Sequence, residues 1–210
     1  MSAKPIVALL VSALTACGGG DAPAEPPTGN WRAELILPGG SAPFGLELGR
    51  AGENFRATLI NGQERVKVPV VRYDAAAHTL LLDFPAYNNR IEARFADDQL
   101  RGTLTLTKRD GLQQIPFTAR HGAAQKTRGA REGSIVDVSG RWAVTFTEAD
   151  GSTYPAVGEF AQRGSRLFGT FLTTKGDYRF LGGELRGDGF SLSTFDGAHA
   201  FLFKARAMPS

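Results

Sequence analysis

The sequence predicts an all-β protein made of two tandem antiparallel meander units, barrels or curved sheets, the second apparently incomplete. Three observations carry that expectation. From Trp31 onward the chain alternates apolar and polar residues in short runs, the period of a half-buried strand. Gly, Asn and Asp punctuate those runs, and no window of helical length shows a convincing 3.6-residue period. The start of the pattern also recurs, since Gly29-Asn30-Trp31-Arg32-Ala33 is echoed by Gly140-Arg141-Trp142-Ala143-Val144.

The chain opens on a different pattern. Lys4 and the amino terminus form a small positive region, Ile6–Leu14 is apolar apart from Ser12, and Leu14-Thr15-Ala16-Cys17 follows. That order is the layout of a secretory signal, and its apolar run falls short of the ~20 residues that span a bilayer. Leu14-Thr15-Ala16-Cys17 resembles the bacterial lipobox. The resemblance implies removal of residues 1–16 and acylation of Cys17, the sole cysteine of the 210-residue chain. More than one buried acyl chain gives firm anchorage. Gly18 stands where an Asp would mark inner-membrane retention, so the same resemblance points to the outer membrane, facing the periplasm. Residues 17–28, rich in Gly and Pro, read as a flexible tether.

The first unit is expected over residues 29–120, with strands at Trp31–Leu37, Pro43–Leu48, Phe55–Ile60, Arg65–Arg72, Thr79–Phe84, Arg90–Phe95, Leu100–Thr107 and Gln113–Ala119. Pro38-Gly39-Gly40, Asn61-Gly62, Asn88-Asn89, Asp97-Asp98 and Asp110-Gly111 mark turns, and Asn-Gly is a strong hairpin signal because its central residues accept positive φ. In Arg90–Phe95 alternation places Ile91, Ala93 and Phe95 on one face.

Residues 121–138 break the pattern and read as a linker, with Lys126, Arg128 and Arg131 on a solvated loop. The second unit, 139–210, holds strands at Arg141–Thr147, Tyr154–Gln162, Arg166–Thr173, Tyr178–Leu185, Phe190–Thr194 and His199–Ala205. Ser41 and Pro43 of the first unit correspond to Ser152 and Pro155, so the copies are diverged but in register. The second copy lacks two strands of the first. Open sheet edges of that kind invite pairing with another chain, including self-association.

Composition removes several function classes. The formal charge is only +3, with acidic and basic residues interleaved, so nucleic acid is not an expected partner. With Cys17 acylated no thiol remains for redox chemistry. His78, His121 and His199 are too scattered to fix a metal, and no cofactor motif is present. A hydrolytic reading would take His199 as base, Asp196 or Asp177 as its orienter and Ser193 or Thr194 as nucleophile. The same residues read better as turn chemistry around Lys175-Gly176-Asp177 and Asp196-Gly197, where Asp caps its own backbone. Catalysis is therefore not expected.

Gly-X-Trp opening a first strand resembles the start of lipocalin- and avidin-type barrels, in which the Trp plugs one end and the interior can hold an apolar ligand. Trp31 and Trp142 are on that ground candidate ligand or partner residues, together with Asp177, Tyr178, Arg179, Asp196 and His199 of the polar-aromatic cluster. A second resemblance runs over nearly all of residues 29–206. Tyr154-Pro155-Ala156-Val157-Gly158-Glu159-Phe160, Gly169-Thr170-Phe171-Leu172-Thr173, Gly176-Asp177-Tyr178-Arg179 and Phe195-Asp196-Gly197-Ala198-His199-Ala200-Phe201 are similar to the amino-terminal region of lipid-anchored TlpA-like thiol-disulfide oxidoreductases. Leu59-Ile60-Asn61-Gly62-Gln63-Glu64 is similar to the same region. In that family a thioredoxin domain with Cys-X-X-Cys follows, and this sequence has no such motif. The resemblance implies an envelope accessory module with an envelope protein or thioredoxin-like domain as partner, or else a truncated fragment of an oxidoreductase, and no redox residues to carry over.

Overall fold

The computed structural model describes residues 25–122, 136–148 and 150–207. Cys17, the signal segment, most of the tether and the Lys126, Arg128 and Arg131 cluster lie outside the described residues.

The first unit is a nine-stranded antiparallel sheet. Its strands are β1 (Gly29–Leu37), β2 (Gly40–Ala51), β3 (Asn54–Asn61), β4 (Glu64–Lys67), β5 (Val70–Asp74), β6 (Thr79–Phe84), β7 (Asn89–Ala96), β8 (Gln99–Lys108) and β9 (Gly111–His121). Each pairs with its sequence neighbour except β4 with β5, and β1 also pairs with β9, so the sheet curls and its first and last strands meet. The expected single strand Arg65–Arg72 is two. Pro69 has no N–H to donate, and the chain turns there from its partner β3 to its partner β6. Asp97 and Asp98 both take positive φ in the two-residue turn between β7 and β8.

The second unit is a six-stranded curled sheet in sequence order: β10 (Gly140–Thr147), β11 (Thr153–Arg163), β12 (Arg166–Thr173), β13 (Gly176–Arg186), β14 (Gly189–Phe195) and β15 (Ala200–Arg206). All six expected strands form. The fourth strand of this copy bends as that of the first does, by another device. Gly169 pairs with Leu181 and Phe171 with Tyr178, so two residues, Arg179 and Phe180, oppose Thr170. This is a β-bulge, which bends the strand carrying the extra residue. Phe180 adopts positive φ within it.

The two copies open identically. Gly29 and Gly140 take φ values of 115° and 101°, a region that L side chains avoid. Two residues later each Trp donates its indole N–H to a carbonyl four residues upstream, Trp31 to Pro27 (3.1 Å) and Trp142 to Val138 (2.8 Å). The first hairpins share a register, with Trp31 opposite Leu46 and Pro43 opposite Glu34, against Trp142 opposite Gly158 and Pro155 opposite Thr145. Val138 is buried in the second core, so the expected linker is already packed at its carboxyl end.

Strand period 2 sends one set of side chains from each strand inward. In the first unit that set is chiefly aliphatic and fully buried, from Trp31, Ala33 and Leu35 through Leu46, Leu59, Leu82, Ile91 and Leu104 to Phe117. A smaller core forms in the second unit around Phe160, Leu167, Phe171, Leu181, Leu185 and Leu192.

The units are clasped by the turn between β14 and β15. Phe195 belongs to the first core, its ring 5.3 Å from Phe44 and 5.8 Å from Phe84. The buried Asn61 amide takes the place of a neighbouring strand: its Nδ2 donates to the Phe195 carbonyl (2.8 Å) and its Oδ1 accepts from the Phe195 N–H (3.0 Å). Asn89 Nδ2 donates to the Gly197 carbonyl (2.9 Å), while its Oδ1 accepts from the Thr107 N–H. Gly197 has positive φ and its backbone lies so close to Phe84 that a Cβ would fall 2.3 Å from the ring. Asn61 was expected inside the hairpin turn. It is the last strand residue instead, paired with Glu64, and the turn is Gly62-Gln63.

Candidate functional site: the cleft between β10 and β15

In the first unit the inward residues of β1 are covered by β9, with Leu35 opposite Phe117 and Ala33 opposite Ala119. Among the described residues β10 pairs only with β11, and β15 only with β14. The equivalent inward residues Trp142, Val144 and Phe146 are therefore half-buried where Trp31, Ala33 and Leu35 are buried. Between the two edge strands lies a cavity of about 750 Å³, lined by Trp142, Val144, Phe146, Phe160, Phe171, Phe190 and Phe203 together with Lys204, Ala205 and Arg206 of β15.

Aromatic rings do here what strands do in the first unit. Phe146 of β10 reaches Phe203 of β15 (ring centroids 5.6 Å apart), Phe171 (5.1 Å) and Tyr178 (5.9 Å). Phe160 lies 5.5 Å from Phe171 and 5.6 Å from Phe190. Edge-to-face contacts dominate, the arrangement that aromatic quadrupoles favour. Toward one end Tyr154 stacks on Phe146 (5.3 Å), and Lys175 Nζ sits 4.3 Å over the Tyr154 ring while bonded to Glu148 (2.8 Å). The hydrogen bond to Glu148 raises the Lys175 pKa, and desolvation raises that of Tyr154.

The candidate residues from the sequence fall into three places. Trp31 is core, packed against Phe95 and His121, whereas Trp142 lines the cleft. Tyr178 faces inward against Phe201 (4.9 Å) and Phe203 (5.1 Å), while Asp177 and Arg179 pair with each other on the outer face of β13 (2.9 Å). Asp196 and His199 belong to the clasp: Asp196 Oδ1 accepts from the Ala198 and His199 N–H groups, and His199 Nδ1 stands 3.6 Å from Asp196 Oδ2. Ser193 is buried and donates its hydroxyl to the Pro43 carbonyl of the first unit (2.9 Å). Of the residues that a hydrolytic reading would recruit, Ser193 thus bonds across to the first unit, Asp196 and His199 shape the turn of the clasp, and Asp177 stands apart on β13.

Sequence reasoning missed Val144, Phe146, Phe171, Phe190 and Phe203 as cleft residues. The local signal was partial: alternation in β10 gives Trp142, Val144 and Phe146 one shared face. Among the described residues no group of His, Cys, Asp or Glu is placed to hold a metal ion. No family model, curated protein or solved structure matches this chain.

Proposed function

We propose that this chain is a lipid-anchored, non-catalytic protein of the bacterial cell envelope whose second unit holds an apolar ligand between β10 and β15. One observation carries the binding: a cavity of about 750 Å³, walled by aromatic side chains, at the place where the first copy has a packed strand. Its volume falls within the ~300–1,000 Å³ of ligand sites, which are mostly apolar and largely pre-formed. The lipobox-like Leu14-Thr15-Ala16-Cys17 supports the anchorage, and Gly18 after it supports an outer-membrane location facing the periplasm.

The test is a titration of the full chain with N-phenyl-1-naphthylamine, following Trp142 emission in a Trp31→Phe background. Saturable quenching is expected, and Ala205→Phe, which fills the cleft, should abolish it. A flat titration refutes the ligand reading. For the anchor, labelled palmitate should enter the protein and not its Cys17→Ser variant. Disulfide reduction by the purified chain would refute the non-catalytic role.

A second reading, recruitment of an envelope partner such as a thioredoxin-like domain, is favoured by the open edge of β10. An added strand there would lie where β9 lies beside β1, in the manner of β-augmentation. Its link to TlpA-like proteins rests on the sequence motifs.

A further inference from the structure

The cleft does not end at its aromatic walls. β15 is an edge strand with two faces: Phe203 packs toward the second core, whereas Leu202 packs toward the first unit. By strand alternation Lys204 and Arg206 share the face of Leu202. From the open edge both faces are reachable, and Phe190, Lys204, Ala205 and Arg206 line the aromatic cavity and also a second groove of about 670 Å³ between the units. The two spaces thus meet at the same four residues beside β15.

Their charges are one-sided. Among the described residues no carboxylate lines the aromatic cavity. The groove adds Arg32 and Arg186, and its one acidic lining residue, Glu184, lies 3.5 Å from Arg186. Arg32 is engaged by Glu34 at 3.0 Å. Among the described residues Lys204 and Arg206 form no ion pair. An apolar slot thus opens onto two unpaired cations, the complement of a molecule with an apolar tail and an anionic head.

Resting on the ligand-binding reading, we infer that the second unit binds a monomeric anionic amphiphile, a single acyl chain bearing a carboxylate or phosphate. The chain lies among Trp142, Phe146, Phe190 and Phe203, and the head lies against Lys204 and Arg206. A charged hydrogen bond to the head adds selectivity that burial of the chain cannot supply.

The experiment is calorimetric titration of the full chain with dodecanoate and with dodecanol, below the concentrations at which they aggregate. Dodecanoate is expected to bind about tenfold or more tightly than dodecanol, the worth of a charge-assisted hydrogen bond, and about fourfold more weakly for each methylene removed. The exposed pair Lys204→Gln and Arg206→Gln should bring dodecanoate down to about the affinity of dodecanol, a loss several-fold larger than any change in dodecanol binding. Equal binding of both by the unmutated chain overturns the anionic head while sparing the apolar cleft. Absence of binding by either overturns both. Sedimentation with phosphatidylglycerol vesicles that the double variant loses, with no heat from dodecanoate, overturns the monomeric ligand in favour of a bilayer surface.

Discussion

The two units begin with the same glycine, the same tryptophan hydrogen bond and the same hairpin register, yet one is filled and the other is open. In the first, β9 returns to β1, and aliphatic side chains packed around Trp31, Phe44, Phe84 and Phe117 fill the interior. In the second, six strands curl without their edges pairing, and large aromatic rings reach across the gap. Aliphatic side chains fill space that strands have already enclosed. Phe and Tyr can span a space that strands leave open, and Phe146, Phe190 and Phe203, being half-buried, remain available to a ligand. The difference lies in what covers the Trp strand and not in the strand itself.

The largest effect should come from cutting the connection between the units. Phe195→Ala removes a ring buried among Phe44 and Phe84 of the other unit, at a cost of about 3–5 kcal/mol. Calorimetry should then resolve two transitions, the second unit melting first, where the unmutated protein shows one. A single transition in the variant would mean that the clasp does not couple the units.

The second prediction sharpens the filled-versus-open contrast. Leu46→Ala, at a fully buried site, should cost about 2–5 kcal/mol in urea unfolding, with a cavity left behind. Val144→Ala, at the half-buried edge of the cleft, should cost less than about 1.5 kcal/mol, since little packed neighbourhood is lost. Equal costs would show the second interior to be as tightly filled as the first. Asn61→Ala follows in size. It leaves the Phe195 N–H and carbonyl unpaired in a buried site, worth about 1–3 kcal/mol, and should bring the two transitions of the units apart without touching either sheet.

Much of this fold was legible in the chain. Alternation located the strands, and the paired Gly-X-Trp segments gave the repeat, because those features are local. The break of Arg65–Arg72 at Pro69 was also local, and alternation overrode it. Asn61 was misplaced by a residue, and its role is non-local: its amide holds Phe195, far along the chain. The cleft was illegible for the same kind of reason. Periodicity shows that Trp142, Val144 and Phe146 share a face, but which strand covers that face is a matter of tertiary pairing. The Asp196–His199 cluster looked like chemistry or turn capping. It is turn capping, in the service of an interface that no local pattern announces.

The smallest predicted effect concerns a charge shared across the two units. Glu64, on the first unit's β4, has its carboxyl pKa raised, first by burial and then by the negative charge of Asp196 in the clasp; the hydrogen bond from Asn61 acts in the opposite direction. A carboxyl whose folded pKa is raised takes up its proton more readily folded than unfolded. Its stabilising effect is thus present below the unfolded value of about 4.3 and is lost as pH rises through the folded one. Glu64→Gln should consequently melt at a higher temperature than the unmutated protein at pH 7, and at the same temperature below about pH 4. The size is modest because Glu64 is partly solvated. A melting difference that stays constant from pH 3 to pH 8 would exclude charge as its origin. A smaller pH-dependence in an Asp196→Asn background would identify Asp196 as the charged partner.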